Sequence, residues 1–163
     1  MFRTIVVGTD GSRTADRAMR KATDLARLCS ARLHVVTAYR LQADMTVIGP
    51  MGIALGADDE KVRSEVEAML HGREKEISAE GVAVSVHAIP GRAVDAILDV
   101  ADQEHADVIV LGNRGVQGSR PSLGSVPFNV LQHARCAVIV FPTSTTADLG
   151  PFPVGEVTDP NGS

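Results

Sequence analysis

Two segments, Ile5-Val6-Val7 and Val108-Ile109-Val110-Leu111, are apolar at every position, so an extended chain built from them is apolar on both faces. A strand with one face in water would alternate; these need cover above and below, as the strands of a parallel sheet have. The rest of the chain supplies the cover. Thr4 to Val7 is followed by the turn Gly8-Thr9-Asp10-Gly11-Ser12, after which Ala15, Ala18, Met19, Ala22, Leu25, Ala26 and Cys29 recur at three- and four-residue steps. Leu33 to Ala38 reads as a second strand. Val62, Val66, Met69, Leu70 and Ile77 mark a helix that stops near Glu80-Gly81, where glycine ends helices readily. Val82 to Ala88 makes a third strand, and after Pro90-Gly91 the set Val94, Ile97, Leu98 and Ala101 gives another helix. Val108 to Leu111 is the fourth strand, Phe128, Leu131 and Ala134 form the apolar face of the last helix, and Ala137 to Phe141 is the fifth strand. The expected fold is α/β, a five-stranded doubly wound parallel sheet with helices on both faces.

Ligands of such sheets bind beyond the carboxyl ends of the strands, where the strand order reverses. The first strand ends in Gly8-Thr9-Asp10-Gly11-Ser12 and the fourth in a glycine loop running from Gly112 through Asn113, Arg114 and Gly115 to Gly124. If those strands are neighbours, both loops face one crevice. Glycine at 112, 115 and 124 allows positive φ and close approach, so several backbone N–H groups can point at one anion. Ser125 then stands as the cap of the last helix, whose first-turn N–H groups and dipole favour negative charge. Pro127 suits that first turn because it has no N–H to lose there. A second reading stays open: the glycines only make turns, and Ser125 only caps a helix.

Composition narrows the partners. At 163 residues with 44% apolar content the chain fits one domain able to bury roughly two-thirds of its unfolded surface. A net charge of -4 and 3% aromatic residues lack both the basic footprint and the stacking platform of a nucleic-acid binder. No apolar run approaches the ~20 residues of a membrane span, and no targeting segment precedes the first strand, so a cytoplasmic location is expected. Cys29 and Cys136 are too few for a disulfide scaffold and read as buried thiols. Two segments fall outside the alternation. Arg40 to Asp59, with Gly49, Pro50, Gly52 and Gly56, is expected to be a flap. Residues 143–163, rich in Pro and Gly, are expected to form a disordered tail after a domain of residues 1–142.

Taken together, Val6-Val7-Gly8-Thr9-Asp10-Gly11-Ser12, the stretch Val108 to Gly115, and Gly124-Ser125-Val126-Pro127 leading to Cys136-Ala137-Val138-Ile139-Val140 resemble the universal stress protein family over roughly residues 2–142. The resemblance implies the strand order 3-2-1-4-5, a homodimer and, in one branch of the family, an adenine-nucleotide site. It places Asp10 near ribose and phosphates, Ala38 against adenine through its backbone, and the phosphates on Gly112, Gly115, Gly124 and Ser125. With Gly8, Thr9, Asn113, Arg114 and Val126 from the same motifs, these are the expected cofactor-binding residues, for ATP, AMP or cyclic AMP, with Mg accompanying ATP. One departure stands out. The stretch Val116 to Leu123 is a residue shorter than the family's nucleotide-binding pattern and contains Pro121, a change that Gly118 can absorb by a tighter turn.

Single residues keep two readings each. Asp10 faces a ligand or accepts the N–H groups of its own turn; Asn113 and Arg114 touch ribose or phosphate or are solvated; Thr9 and Ser12 meet phosphate oxygens, with Ser12 also the best N-cap of the first helix. Arg120 screens a polyphosphate or serves solubility. Catalytic patterns are weak. His34, His71, His87, His105 and His133 are scattered with no H-E-x-x-H spacing, so no metal site is expected, and the glycine loop lacks the lysine of a P-loop. At most slow ATP hydrolysis is expected. The function expected is an adenine-nucleotide-binding stress-response regulator with a regulatory protein partner; the alternative is a dimeric interaction module without nucleotide.

Overall fold

The computed structural model describes residues 1–40, 57–113 and 123–142. Their order is β1 (Thr4–Gly8), α1 (Arg13–Cys29), β2 (Arg32–Tyr39), α2 (Ala57–Ala79), β3 (Val84–Pro90), α3 (Ala93–Gln103), β4 (Val108–Gly112), α4 (Ser125–His133) and β5 (Ala137–Phe141). The strands form one parallel sheet in the order β3-β2-β1-β4-β5. Sequence and structure agree on the doubly wound architecture, and β1 and β4 are indeed neighbours.

The two all-apolar strands sit at the centre, where both faces are covered: Ile5, Val6, Val7, Val108, Ile109 and Val110 are fully buried. Alternation sends Ile5, Val7, Leu33 and Val35 to one face, under Met19, Ala22 and Ala26 of α1 and Leu70 and Ile77 of α2. Val6, Val36 and Ile109 go to the other, under Ala96, Ile97, Val100 and Ala101 of α3 and Val130 of α4. Register at the amino-terminal ends of β1 and β4 is pinned by Asp107, whose Oδ2 accepts the N–H groups of Arg3 at 2.6 Å and Thr4 at 2.9 Å.

Several local expectations need correction. The third strand runs from Val84 to Pro90, so Pro90 closes a strand; it is tolerated because β3 is an edge and its missing N–H breaks no ladder. Helix α2 begins at Ala57, so the irregular segment expected to reach Asp59 ends earlier; residues 41–56, which carry the rest of the expected flap, and 143–163, the expected tail, lie outside the described residues. Helix α4 presents Pro127 and Val130 to the core, while Phe128 and Leu131 are 52% and 46% exposed. Both of its faces carry apolar residues, and periodicity alone selects the wrong one. Cys29 and Cys136 are half-buried thiols at the margins of the two cores, not fully buried ones.

Candidate functional site

At the β1/β4 reversal the carboxyl ends of β1, β2 and β4 open into a cleft. Its walls include Gly8, Thr9 and Asp10 after β1, Val36 and Ala38 of β2, Leu111 and Gly112 of β4, and Ala15, Ala93, Ile97, Val126 and Pro127 from the helices facing them. Six of the sequence-predicted residues, Gly8, Thr9, Asp10, Ala38, Gly112 and Val126, therefore meet around one space. Ser125 lies in an adjoining hollow that shares Ala38, Ala93 and Val126 with the cleft and adds Arg40 and Arg92. Arg114, Gly115, Gly118 and Arg120 lie outside the described residues.

The space depends on Gly8. A Cβ there would stand 2.6 Å from Ile97 Cδ1, 3.2 Å from Ile97 Cγ1 and 3.3 Å from Leu111 Cδ2, inside van der Waals contact. The loop that follows is self-supporting. Thr9 N–H donates to Val36 O at 2.9 Å, Gly11 N–H to Thr9 Oγ1 at 3.2 Å and Ser12 N–H to Asp10 Oδ1 at 3.0 Å. Gly11 takes φ +74, which a side chain would resist. Ser12 caps α1, its Oγ accepting from Ala15 N–H at 3.2 Å. Asp10 therefore has the turn role expected as its alternative, and still lines the cleft.

On the β4 side the geometry departs from expectation. Gly124 adopts φ -63 and Gly112 is not among the glycines with positive φ, so neither is there for left-handed backbone. Gly124 rather than Ser125 is the N-cap of α4, since its carbonyl accepts the first helical bond, from Phe128 N–H at 3.1 Å. Gly124 N–H donates to Asn113 O at 2.9 Å, and Asn113 N–H to Phe141 O at 2.9 Å, so the start of α4 is tied to the end of β4 and that end to β5. The first-turn N–H groups with no intrahelical acceptor are those of Ser125 and Val126, because Pro127 has none.

The electrostatics suit an anion in an otherwise acidic protein. Three helices, α1, α3 and α4, start at the cleft, each bringing the positive end of its dipole. Arg92 is the N-cap residue of α3 and reaches Asp95 at 3.8 Å, three-quarters exposed and within the adjoining hollow. The floor is apolar, with Val36, Ile97 and Leu111 each at most 4% exposed. Sequence reasoning missed Ile97, Ala93, Arg40 and Arg92. Their signal was positional: α3 begins, and β2 ends, at the same edge of the sheet as the glycine loops.

Residues 1–142 match the universal stress protein family. The chain belongs to that family. Universal stress protein Rv1636 of Mycobacterium tuberculosis is 33% identical over 147 residues, covering 88% of this chain and 98% of that protein. A universal stress protein crystallised in complex with cAMP is 30% identical with a TM-score of 0.66, over 88% of this chain and 98% of that one. The universal stress protein from Archaeoglobus fulgidus in complex with dAMP is 28% identical with a TM-score of 0.60, over 85% of this chain and 96% of that one. Among the described residues no helix of this family member is long and apolar enough to cross a membrane.

Away from the cleft, the histidines prove less scattered than their spacing suggests. His34 and His87 meet at 3.0 Å, with Glu104 beside them.

Proposed function

We propose that this universal stress protein binds an adenine nucleotide in the β1/β4 cleft and acts as a nucleotide-responsive regulator. The observation that carries the reading is the convergence of three helix N-termini on a glycine-bounded cleft with an apolar floor. The apolar floor of Val36, Ile97 and Leu111 suits a base beside Ala38; Asp10 suits the ribose and phosphates; the N–H groups of Ser125 and Val126 suit phosphate oxygens. The nucleotide-bound relatives support this assignment. Each charge-assisted hydrogen bond contributes about 1.5–3 kcal/mol, so two or three with a buried base reach the roughly 8 kcal/mol of micromolar binding. Asp10, whose Oδ1 is occupied by Ser12 N–H, has Oδ2 for Mg accompanying ATP.

The role is binding rather than turnover. Among the described residues, those lining the cleft include no histidine, lysine or cysteine, which favours at most slow ATP hydrolysis. Calorimetric titration with ATP, AMP and cyclic AMP tests the reading: saturable heat with at least one of them is expected, and none with any refutes it. A second property has its own observation. Edge strand β5 and the exposed Leu123, Phe128 and Leu131 in and just before α4 suit pairing with a second copy, giving a homodimer that presents the nucleotide state to a partner protein in the cytoplasm.

A further inference from the structure

The far end of the sheet holds a cluster used by neither the cleft nor the hydrophobic layers. His34 of β2 is 3% exposed and stands where alternation places an apolar residue, on the face shared by Val6 and Val36. His87 of β3 reaches the same face: Nδ1 of His34 and Nε2 of His87 are 3.0 Å apart, their rings 5.2 Å between centroids. Glu104, the C-cap residue of α3, brings Oε2 within 3.8 Å of His34 Nε2, too far for a hydrogen bond. One donor atom from each residue lies within 4.8 Å of the other two.

We propose that His34, His87 and Glu104 form a binding site for a divalent transition metal of the zinc class. His34 offers an ion one nitrogen only, and the set of one donor atom from each residue lies within 4.8 Å. An ion held at about 2.0–2.1 Å by tetrahedral donors needs them roughly 3.3–3.4 Å apart, so the cluster draws in around it and the His34–His87 hydrogen bond is exchanged for metal bonds. The two imidazoles are fixed by the sheet, and Glu104, with its side chain 41% exposed at a helix end, closes the remaining gap by rotation. Two nitrogens and one carboxylate oxygen favour zinc, nickel or copper over magnesium or calcium, and the fourth position is left to water. Burial lowers both imidazole pKa values and Glu104 opposes that shift at each, while His87 and then Arg32 add to it at His34; the net lowering favours the uncharged rings that can act as ligands. The site is distinct from the cleft, although α3 touches both, with Ala93 at one end and Glu104 roughly 16 Å along the axis.

The test uses the full chain, stripped with a chelator and without nucleotide. Zinc titrated in the calorimeter is expected to bind at one equivalent per chain, at least tenfold more weakly in His87→Asn and in Glu104→Gln, and unchanged in His71→Asn. Cobalt(II) is expected to give visible tetrahedral absorption bands that His87→Asn abolishes. Absence of saturable zinc binding, wild-type affinity in the two ligand variants, or equal competition by magnesium overturns the proposal. Glu104→Gln changes an exposed group, so it decides the matter even if the His87 variant fails to fold.

Discussion

Gly8 owes its place to space rather than to dihedral freedom. Its missing Cβ leaves room that Ile97 and Leu111 already crowd, at 2.6 Å and 3.3 Å from where that atom would be. Gly8→Val is expected to push Ile97 into the cleft and weaken nucleotide binding at least tenfold by calorimetry, with an overpacking cost of about 1–3 kcal/mol in urea unfolding. Asp107 works at the opposite end of β1. The N–H groups of Arg3 and Thr4 hold its carboxyl below the ordinary carboxylate pKa, so it contributes stability that is fully present above the unfolded value and lost as pH falls through the folded one. Asp107→Asn keeps an acceptor but loses the charge. The stability gap between wild type and this variant is expected to be largest above about pH 4 and to close in more acidic solution, as acid-unfolding curves would record. A gap independent of pH would mean that the charge of Asp107 contributes nothing.

The elements differ in how far local pattern decides them. Strands β1 and β4 are legible in the sequence because burial on both faces leaves a run such as Ile5-Val6-Val7 no half-exposed alternative. Helix α1 is legible because its cap and its apolar stripe agree. Ser12→Ala removes the acceptor for Ala15 N–H and is expected to cost about 1 kcal/mol, a fall in Tm of about 2–4 °C by scanning calorimetry. No change would mean that Asp10 and the loop hold the helix start unaided. Helix α4 is not legible in the same way, since Phe128 and Leu131 repeat at helical spacing as convincingly as Pro127 and Val130. Which pair faces inward depends on how Gly124 and Asn113 dock the helix start against β5, a long-range condition. The same holds for the glycines of the site: their number and order point to the cleft, but Gly112 and Gly124 do not use the left-handed backbone that glycine permits. His34 and His87 are 53 residues apart, and only the parallel pairing of β2 with β3 brings them together.

At the scale of the whole molecule, the sheet has two ends to its strand order, and they are not equivalent. Strand β3 ends in Pro90 and lies beside a long, largely charged α2, whereas β5 is the wholly apolar Ala137-Val138-Ile139-Val140-Phe141 with α4 beside it. Among the described residues its outer backbone edge is unpaired, and an edge of that composition suits pairing. If the proposed two-fold dimer forms through this edge, each β5 pairs with its own copy, antiparallel, and the two α4 helices come to the same interface. In the proposed dimer the exposed Phe128 and Leu131 would be covered by the partner. Light scattering is expected to give twice the 17.2 kDa of one chain for the wild type. Phe128→Glu should return the monomer mass with little change in unfolding free energy, because the ring it replaces is half exposed and packs no core. Gly8, Asp10 and Val126 line the cleft within one chain, so the monomeric variant should keep its nucleotide affinity within about threefold, a shift of ~0.6 kcal/mol. A monomeric wild type would remove the dimer and leave the cleft standing; loss of nucleotide binding in a folded Phe128→Glu monomer would mean that the second copy completes the site.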